Sequence, residues 1–185
     1  MIHATGDYYE GEWVMDEASG WGKYIHADGA VYEGQWSKDK QNGSGAEYWN
    51  DGTFYKGEYK DGKKNGKDEF HWANDSYYIG DFFENALHRI GTYKWSDLRE
   101  YQGEWRNNRM HGKGKFTWPD GRVYIGEYFE DKKEGWGEYK WPDGKVYIGE
   151  WRNGKQDGSG TYISPNGKKK ESKWKDGKIM KNDDK

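Results

Sequence analysis

Tyrosine and tryptophan recur along the chain at a fixed period, with polar residues filling most of the positions between them. The opening tyrosines are Tyr9, Tyr32, Tyr55, Tyr78, Tyr101, Tyr124 and Tyr147, each 23 residues after the last, without insertion or deletion. Two residues after each comes a glycine, and two after that an aromatic, as in Tyr124-Ile125-Gly126-Glu127-Tyr128. Alternation with period two predicts strands, and no window sustains the 3.6-residue period of a helix. Each repeat also carries two turn signals. Pairs such as Asp61-Gly62 and Asn153-Gly154 suit a two-residue hairpin loop, in which both residues need positive φ. Pro119-Asp120-Gly121 and Pro142-Asp143-Gly144 suit a three-residue loop with glycine in the left-handed position.

A strict period means stacked supersecondary units. The predicted fold is all-β, an elongated single-layer antiparallel sheet of stacked 23-residue β-hairpins. Residues 1–8 lead in, 9–169 form seven repeats, and 170–185 hold a degraded eighth repeat and a lysine-rich tail. With these loop lengths the opening tyrosine should face the second glycine of its own G-x-G. That glycine should in turn face the Y-x-G glycine of the next repeat. One face then collects tyrosine, glycine and tryptophan, and the other mostly Glu, Lys, Ser and Thr. Glycines without Cβ leave gaps into which neighbouring rings lie flat, so one sheet can bury area without a second layer.

Composition sharpens this picture. Leu, Ile, Val and Phe together number only 20 of 185 residues, against 28 Trp and Tyr, so the core must be aromatic. A net charge of −3 argues against a general nucleic-acid binder. The absence of cysteine excludes disulfides and thiolate metal sites. No hydrophobic segment stands near Met1, which points to a cytoplasmic protein. The chain lacks the phosphate-loop, zincin, nucleophile-elbow, dinucleotide-binding and EF-hand patterns. His88 and His111 share a repeat position, yet two strands apart is ~10 Å, too far for one metal ion. The expectation is no enzyme, no cofactor and no metal. The glutamates of Y-x-G-E-W fall opposite the aromatics and read as a solvated ladder rather than acid/base pairs.

The run Tyr124-Ile125-Gly126-Glu127-Tyr128, Gly135-Trp136-Gly137, Pro142-Asp143-Gly144 before Tyr147 resembles the MORN (membrane occupation and recognition nexus) repeat. The likeness extends over about 160 of the 185 residues. It implies a single-layer sheet, no catalytic centre, and a scaffold or adaptor role in cytoskeletal assemblies, including radial spokes of the ciliary axoneme.

Three surfaces are candidates for partners. Trp49, Trp72, Trp95, Trp118 and Trp141 either form the core of a protein with no other core or line a groove for a partner helix or extended peptide. In the groove reading, Arg99, Arg122 and Lys145 select the partner's charge. Departures from the repeat cluster at Asp68, Phe82, Phe83, Leu87, Arg89 and Leu98, by drift or as a bespoke partner surface. Asp68 and Arg89 replace G-x-G glycines and should intrude on the aromatic packing. A strip of Val123, Ile125, Trp136, Val146 and Ile148 on the polar face is ordinary strand packing or a contact for a homodimer or docking. From Lys168 to Lys185, eight lysines face four acids. This basic tail supports an alternative reading, a phospholipid-associated adaptor.

Overall fold

The computed structural model describes residues 6–180; the ends of the lead-in (1–5) and of the tail (181–185) lie outside the described residues. Seventeen strands and no helix occur among the described residues. The chain divides into two compact units, Met1–Ser96 and Asp97–Lys185. The first contains β1 (Tyr8–Val14), β2 (Glu17–Ile25), β3 (Val31–Ser37), β4 (Lys40–Tyr48), β5 (Phe54–Lys60), β6 (Lys63–Lys64), β7 (Gly66–His71), β8 (Tyr77–Phe83) and β9 (Ala86–Lys94). The second contains β10 (Glu100–Arg106), β11 (Arg109–Thr117), β12 (Val123–Phe129), β13 (Lys132–Lys140), β14 (Val146–Arg152), β15 (Lys155–Ile163), β16 (Lys169–Lys175) and β17 (Lys178–Ile179). Within each unit, strands pair antiparallel with their neighbours in sequence, so each unit is an open, single-layer meander.

Local chemistry dictates the turns. Both residues of the first loop have positive φ in every repeat, for example Met15 (50°) with Asp16 (64°) and Asn153 (49°) with Gly154 (82°). This primed geometry matches the right-handed strand twist. In the second loop the Asp or Asn side chain accepts the backbone N–H two residues on. Asp28 receives Ala30 at 3.0 Å, Asp120 receives Arg122 at 3.1 Å, and the five equivalents, from Asp51 to Asn166, do the same. That bond explains why only Asp or Asn occupies the position.

The register departs from the expectation by two residues in the first hairpin of each repeat. Gly22 faces Gly11 rather than Tyr9, and Tyr9 faces Tyr24. A bulge is responsible: between Gly11 and Trp13 one strand advances two residues while its partner advances four, from Gly22 to Ala18. A two-residue shift keeps every side chain on its face, so the predicted facing of Gly22 and Gly34 across the next pair holds. The first glycine of G-x-G is the left-handed residue of this bulge, with φ of 84° at Gly20 and 68° at Gly135. Arg89 adopts the same conformation, φ 54°, and its side chain is exposed, so it does not intrude on the aromatic packing.

In five repeats the residue after the Y-x-G glycine holds the bulge together. Glu104 accepts Lys113 N–H at 2.9 Å, Glu150 accepts Ser159 N–H at 3.0 Å, and Gln35 and Asp81 do the same in their repeats. Glu12, Glu104 and Glu150 are structural acceptors rather than a freely solvated ladder.

In each unit the core is a column of tyrosines. Tyr32, Tyr55, Tyr78, Tyr101, Tyr124 and Tyr147 are 0% exposed, and Tyr9 only 2%. Within each unit a tyrosine lies edge-to-face between the aromatic of its own repeat and that of the next. Tyr124 meets Tyr128 at 5.3 Å and Trp151 at 5.3 Å, and Tyr32 meets Trp36 at 5.2 Å and Tyr59 at 5.1 Å. Every hydroxyl donates to the carbonyl of the bulge residue three positions on, from Tyr9 to Glu12 at 3.1 Å through Tyr147 to Glu150 at 3.1 Å. Burial raises the phenol of Tyr147 to about 12, and pushes up the others of this column as well.

Candidate partner-binding face

Above the tyrosine column, on the same face, runs a second line of rings near the three-residue loops. In the first unit it comprises Trp49, Phe70, Trp72, Tyr93 and Trp95, with successive centroids 5.6, 4.5, 5.1 and 4.5 Å apart. In the second it comprises Phe116, Trp118, Tyr139, Trp141 and Tyr162, at 4.4, 5.6, 4.6 and 6.3 Å. The five ladder tryptophans are half-buried. They differ from the tryptophans of the Y-x-G-E-W strands: Trp36 and Trp151 donate their indole N–H groups to Gly22 and Gly137 carbonyls at 3.2 and 3.3 Å. The indole N–H groups of Trp49, Trp72, Trp118 and Trp141 make no hydrogen bond within the described residues, and none of them is sealed from solvent. One edge of the ladder therefore offers open donors on apolar plates, the combination of an anchoring surface.

The predicted charge selectors are already engaged. Arg99 bonds Asp97 at 2.8 Å, Arg122 bonds Asp120 at 2.7 Å, and Lys145 bonds Asp143 at 2.8 Å, each closing its own loop. Arg122 also lies 5.2 Å over the Trp118 ring.

The notable cations instead sit nine residues after an opening tyrosine, a position held by Ala18, Gln41, Lys64, Leu87, Met110, Lys133 and Gln156. Lys64 lies over Trp49 at 5.2 Å and Tyr55 at 4.9 Å, and is neutralised by Glu47 at 2.8 Å. Lys133 is enclosed by Tyr139 (4.6 Å), Trp151 (4.7 Å), Tyr124 (5.2 Å) and Trp118 (5.3 Å). Among the described residues no carboxylate pairs with it. Burial first, and then the charge of Arg122, lower its ammonium to about 8, while the ring faces attract the charged form. Its chemical variability across repeats hid this position from sequence reasoning.

The atypical set disperses. Phe82 (5% exposed) and Leu87 (8%) are core residues, which removes them from any surface, whereas Phe83, Arg89 and Leu98 are exposed. Leu98, in the second unit, takes φ 69° in its loop where the repeat has glycine.

Asp68 is also buried, at 6%. Its side chain fills the space that Gly57 leaves open, accepting the Tyr55 hydroxyl at 2.5 Å and the Glu58 N–H at 2.9 Å. The nine-residue strand of other repeats is here divided into β6 and β7. Asp68 is accommodated as a hydrogen-bonded buried carboxyl, and the Tyr55 ring keeps its edge-to-face contacts with Tyr59 and Phe82 at 5.2 and 5.5 Å.

Burial holds the Asp68 carboxyl above its usual range, although its two hydrogen bonds favour the charged form. A carboxyl raised on folding gives most stability below its unfolded pKa of about 3.9, and that stability is lost as pH rises through the folded value. Asp68→Gly, which restores the repeat, is therefore expected to stabilise the protein at pH 7.5 by about 1 kcal/mol, with a smaller gain at pH 4.5. Urea denaturation at both pH values checks this; destabilisation at both would show that the carboxylate is a net contributor.

On the opposite face, Ile125, Trp136 and Ile148 line a shallow groove with Lys113, Glu127 and Glu138. Ile125 (47% exposed) and Trp136 (53%) are open to solvent, and Val123 and Val146 are half-buried in the strands beside them. No cluster of three or more His, Asp or Glu residues among the described residues could hold a metal ion. No helix of the described residues is long and apolar enough to cross a membrane.

Among solved structures, the chain is similar in fold to one and is matched by two others at lower TM-scores. The SAS-4 (dCPAP) TCP domain of Drosophila melanogaster, in complex with a proline-rich motif of Ana2 (dSTIL), is 12% identical, with 91% of each chain covered and a TM-score of 0.53. The G-box domain of the microcephaly protein CPAP is 14% identical over 95% of this chain and 97% of that one, with a TM-score of 0.49. The TCP10 domain of Danio rerio CPAP is 15% identical over 98% and 96%, with a TM-score of 0.31. No curated protein sequence gives a significant match. The family model described as MORN repeat matches residues 9–31, 32–54, 55–77, 78–97, 101–121, 124–146 and 147–169, the seven units set by the opening tyrosines. With that period, these turns and this single-layer sheet, the chain belongs to the MORN repeat family.

Proposed function

We propose that the protein is a non-enzymatic scaffold that binds an extended segment of a partner protein along its aromatic face, within a cytoskeletal assembly. The observation that carries this is the row of half-buried tryptophans Trp49, Trp72, Trp118 and Trp141, whose indole N–H groups have no partner among the described residues, beside tyrosines that already satisfy the core. Aromatic plates with open donors suit an extended backbone, whose carbonyls need donor partners. The SAS-4 domain, alike in fold, is held in complex with a proline-rich motif, which favours an extended segment over a helix as the partner here. The axonemal assemblies that the family resemblance implies favour a ciliary address.

Affinity capture from cells expressing the tagged chain, alongside a Trp72→Ala/Trp118→Ala variant confirmed to be folded, tests the reading. Cytoskeletal partners recovered by the wild type should be lost by the variant. Equal recovery would place the interface elsewhere. Sedimentation with anionic liposomes should recover neither protein at physiological salt; binding that depends on the lysines of β16 and β17 would favour the membrane-adaptor alternative.

A further inference from the structure

The second unit's ladder specifies its occupant more narrowly, given the reading of that face as a peptide-binding surface. We propose that it takes an acidic Pro-x-x-Pro segment in the polyproline II conformation, with prolines seated on Trp118 and Trp141 and a carboxylate meeting Lys133.

Pitch is the first argument. Trp118 and Trp141 occupy one repeat position two strands apart, so their rings recur every ~9.6 Å across the sheet. A polyproline II helix returns to the same face every three residues, or ~9.3 Å. An extended β-strand returns every two residues, at ~6.8 Å, and misses the second ring. An α-helix places residues seven apart ~10.5 Å along its axis, closer to the spacing, but its carbonyls are already bonded within the helix.

Hydrogen bonding is the second. Polyproline II has no internal hydrogen bonds, so its carbonyls are free acceptors. The indole N–H groups of Trp118 and Trp141 are donors without a partner in the described residues, and neither is sealed from solvent.

Charge is the third. Around this pair of rings Arg122 and Lys145 are neutralised by Asp120 and Asp143, which leaves Lys133 as the cation without a carboxylate among the described residues. In the first unit the equivalent Lys64 is paired with Glu47 at 2.8 Å, so the demand for an external carboxylate belongs to the second unit.

Intrinsic tryptophan fluorescence and calorimetric titration of the whole chain test this with three synthetic peptides: Pro-Pro-Glu, Pro-Pro-Lys and Gly-Ser-Glu, each repeated four times. The Pro-Pro-Glu peptide is expected to bind about tenfold more tightly than either of the others. Lys133→Met should bring Pro-Pro-Glu and Pro-Pro-Lys to within about threefold of each other, and a Trp118→Phe/Trp141→Phe variant, which keeps rings and removes donors, should weaken Pro-Pro-Glu by about fivefold. Unchanged far-ultraviolet circular dichroism and melting temperature would show that both variants are folded. Equal binding of Gly-Ser-Glu and Pro-Pro-Glu would overturn the polyproline assignment and leave an extended-peptide surface standing. Equal binding of Pro-Pro-Glu and Pro-Pro-Lys by the wild type would overturn the role of Lys133 and with it the proposal. No binding of Pro-Pro-Glu at millimolar concentration would also overturn it, and the capture experiment then shows separately whether the peptide-binding reading falls too.

Discussion

Tyr124→Ala is expected to cost about 4 kcal/mol, enough to melt the hairpins around it. The side chain is 0% exposed and lies at right angles to Tyr128 and Trp151, with interplanar angles of 89° and 82°. Its hydroxyl donates to the Glu127 carbonyl at 3.0 Å, satisfying the strand where the bulge removes a ladder partner. Alanine deletes the ring that covers Gly126 and Gly137, and a single-layer sheet has no second layer that could collapse into the hole. Tyr124→Phe keeps the ring and leaves only the carbonyl unmet, so its cost should be about 1 kcal/mol. Ile125→Ala, one residue away on the other face and 47% exposed, should change stability by no more than about 0.5 kcal/mol. Urea denaturation of the three variants separates these levels. Contacts between neighbouring repeats alone hold such a sheet, so the Tyr124→Ala transition should also broaden or split. A cost for Tyr124→Ala no larger than that for Ile125→Ala would mean that the tyrosine column is not the core.

What the sequence displays about this fold is whatever each repeat decides locally. The primed hairpins follow from residues that tolerate positive φ, and the second loops from an Asp or Asn that bonds the N–H two residues on. Both are readable within five residues. The bulge is not, because G-x-G serves two purposes that look alike in sequence. Its second glycine makes room for a tyrosine ring, as Gly137 does under Tyr124, whereas its first supplies a left-handed backbone, as Gly135 does at φ 68°. Arg89 and Asp68 separate the two: a side chain at the first position is tolerated with φ 54°, and one at the second is driven into the core. The candidate face was legible in part. The tryptophan row could be placed beside the loops, but the pairing of Arg99, Arg122 and Lys145 with loop aspartates depends on the loop's three-dimensional closure. Lys133 stands at a position whose residue type changes in nearly every repeat, so no pattern marked it, and only the surrounding four rings reveal it.

The two kinds of glycine can be told apart by substitution within one repeat, at Gly149 and Gly154. A Cβ on Gly149 would stand 2.5 Å from the Gly160 Cα, 2.6 Å from the Ser159 carbonyl oxygen and 2.6 Å from the Tyr147 hydroxyl. Two of these three atoms are backbone, and the third belongs to a fully buried ring, so no flexible side chain can yield. The adjoining strands β14 and β15 must separate, which breaks the pairing of Gly149 with Gly160 and dislodges the ring of Tyr147 from Trp151 and Trp174. Gly149→Ala is expected to cost about 3 kcal/mol or more. Gly154 occupies the hairpin loop at φ 82°, and a Cβ there meets nothing within 4 Å. Gly154→Ala carries only the left-handed strain of an L-residue, about 1 kcal/mol. Gly154→Asn should recover much of that loss, because asparagine tolerates the left-handed region and the loops of other repeats use it, as at Asn108 with φ 66°. At Gly149 asparagine should be worse than alanine, since added volume deepens the clash. Chemical denaturation of the four variants, with amide hydrogen exchange across β14 and β15, reads both effects. If Gly149→Ala and Gly154→Ala cost the same, glycine serves this family only as a turn former, and the sheet gains nothing from the space beneath its tyrosines. The expected gap of about 2 kcal/mol, together with exchange protection lost on both strands, would show that the repeat keeps this glycine so that a ring can lie where a side chain would otherwise stand.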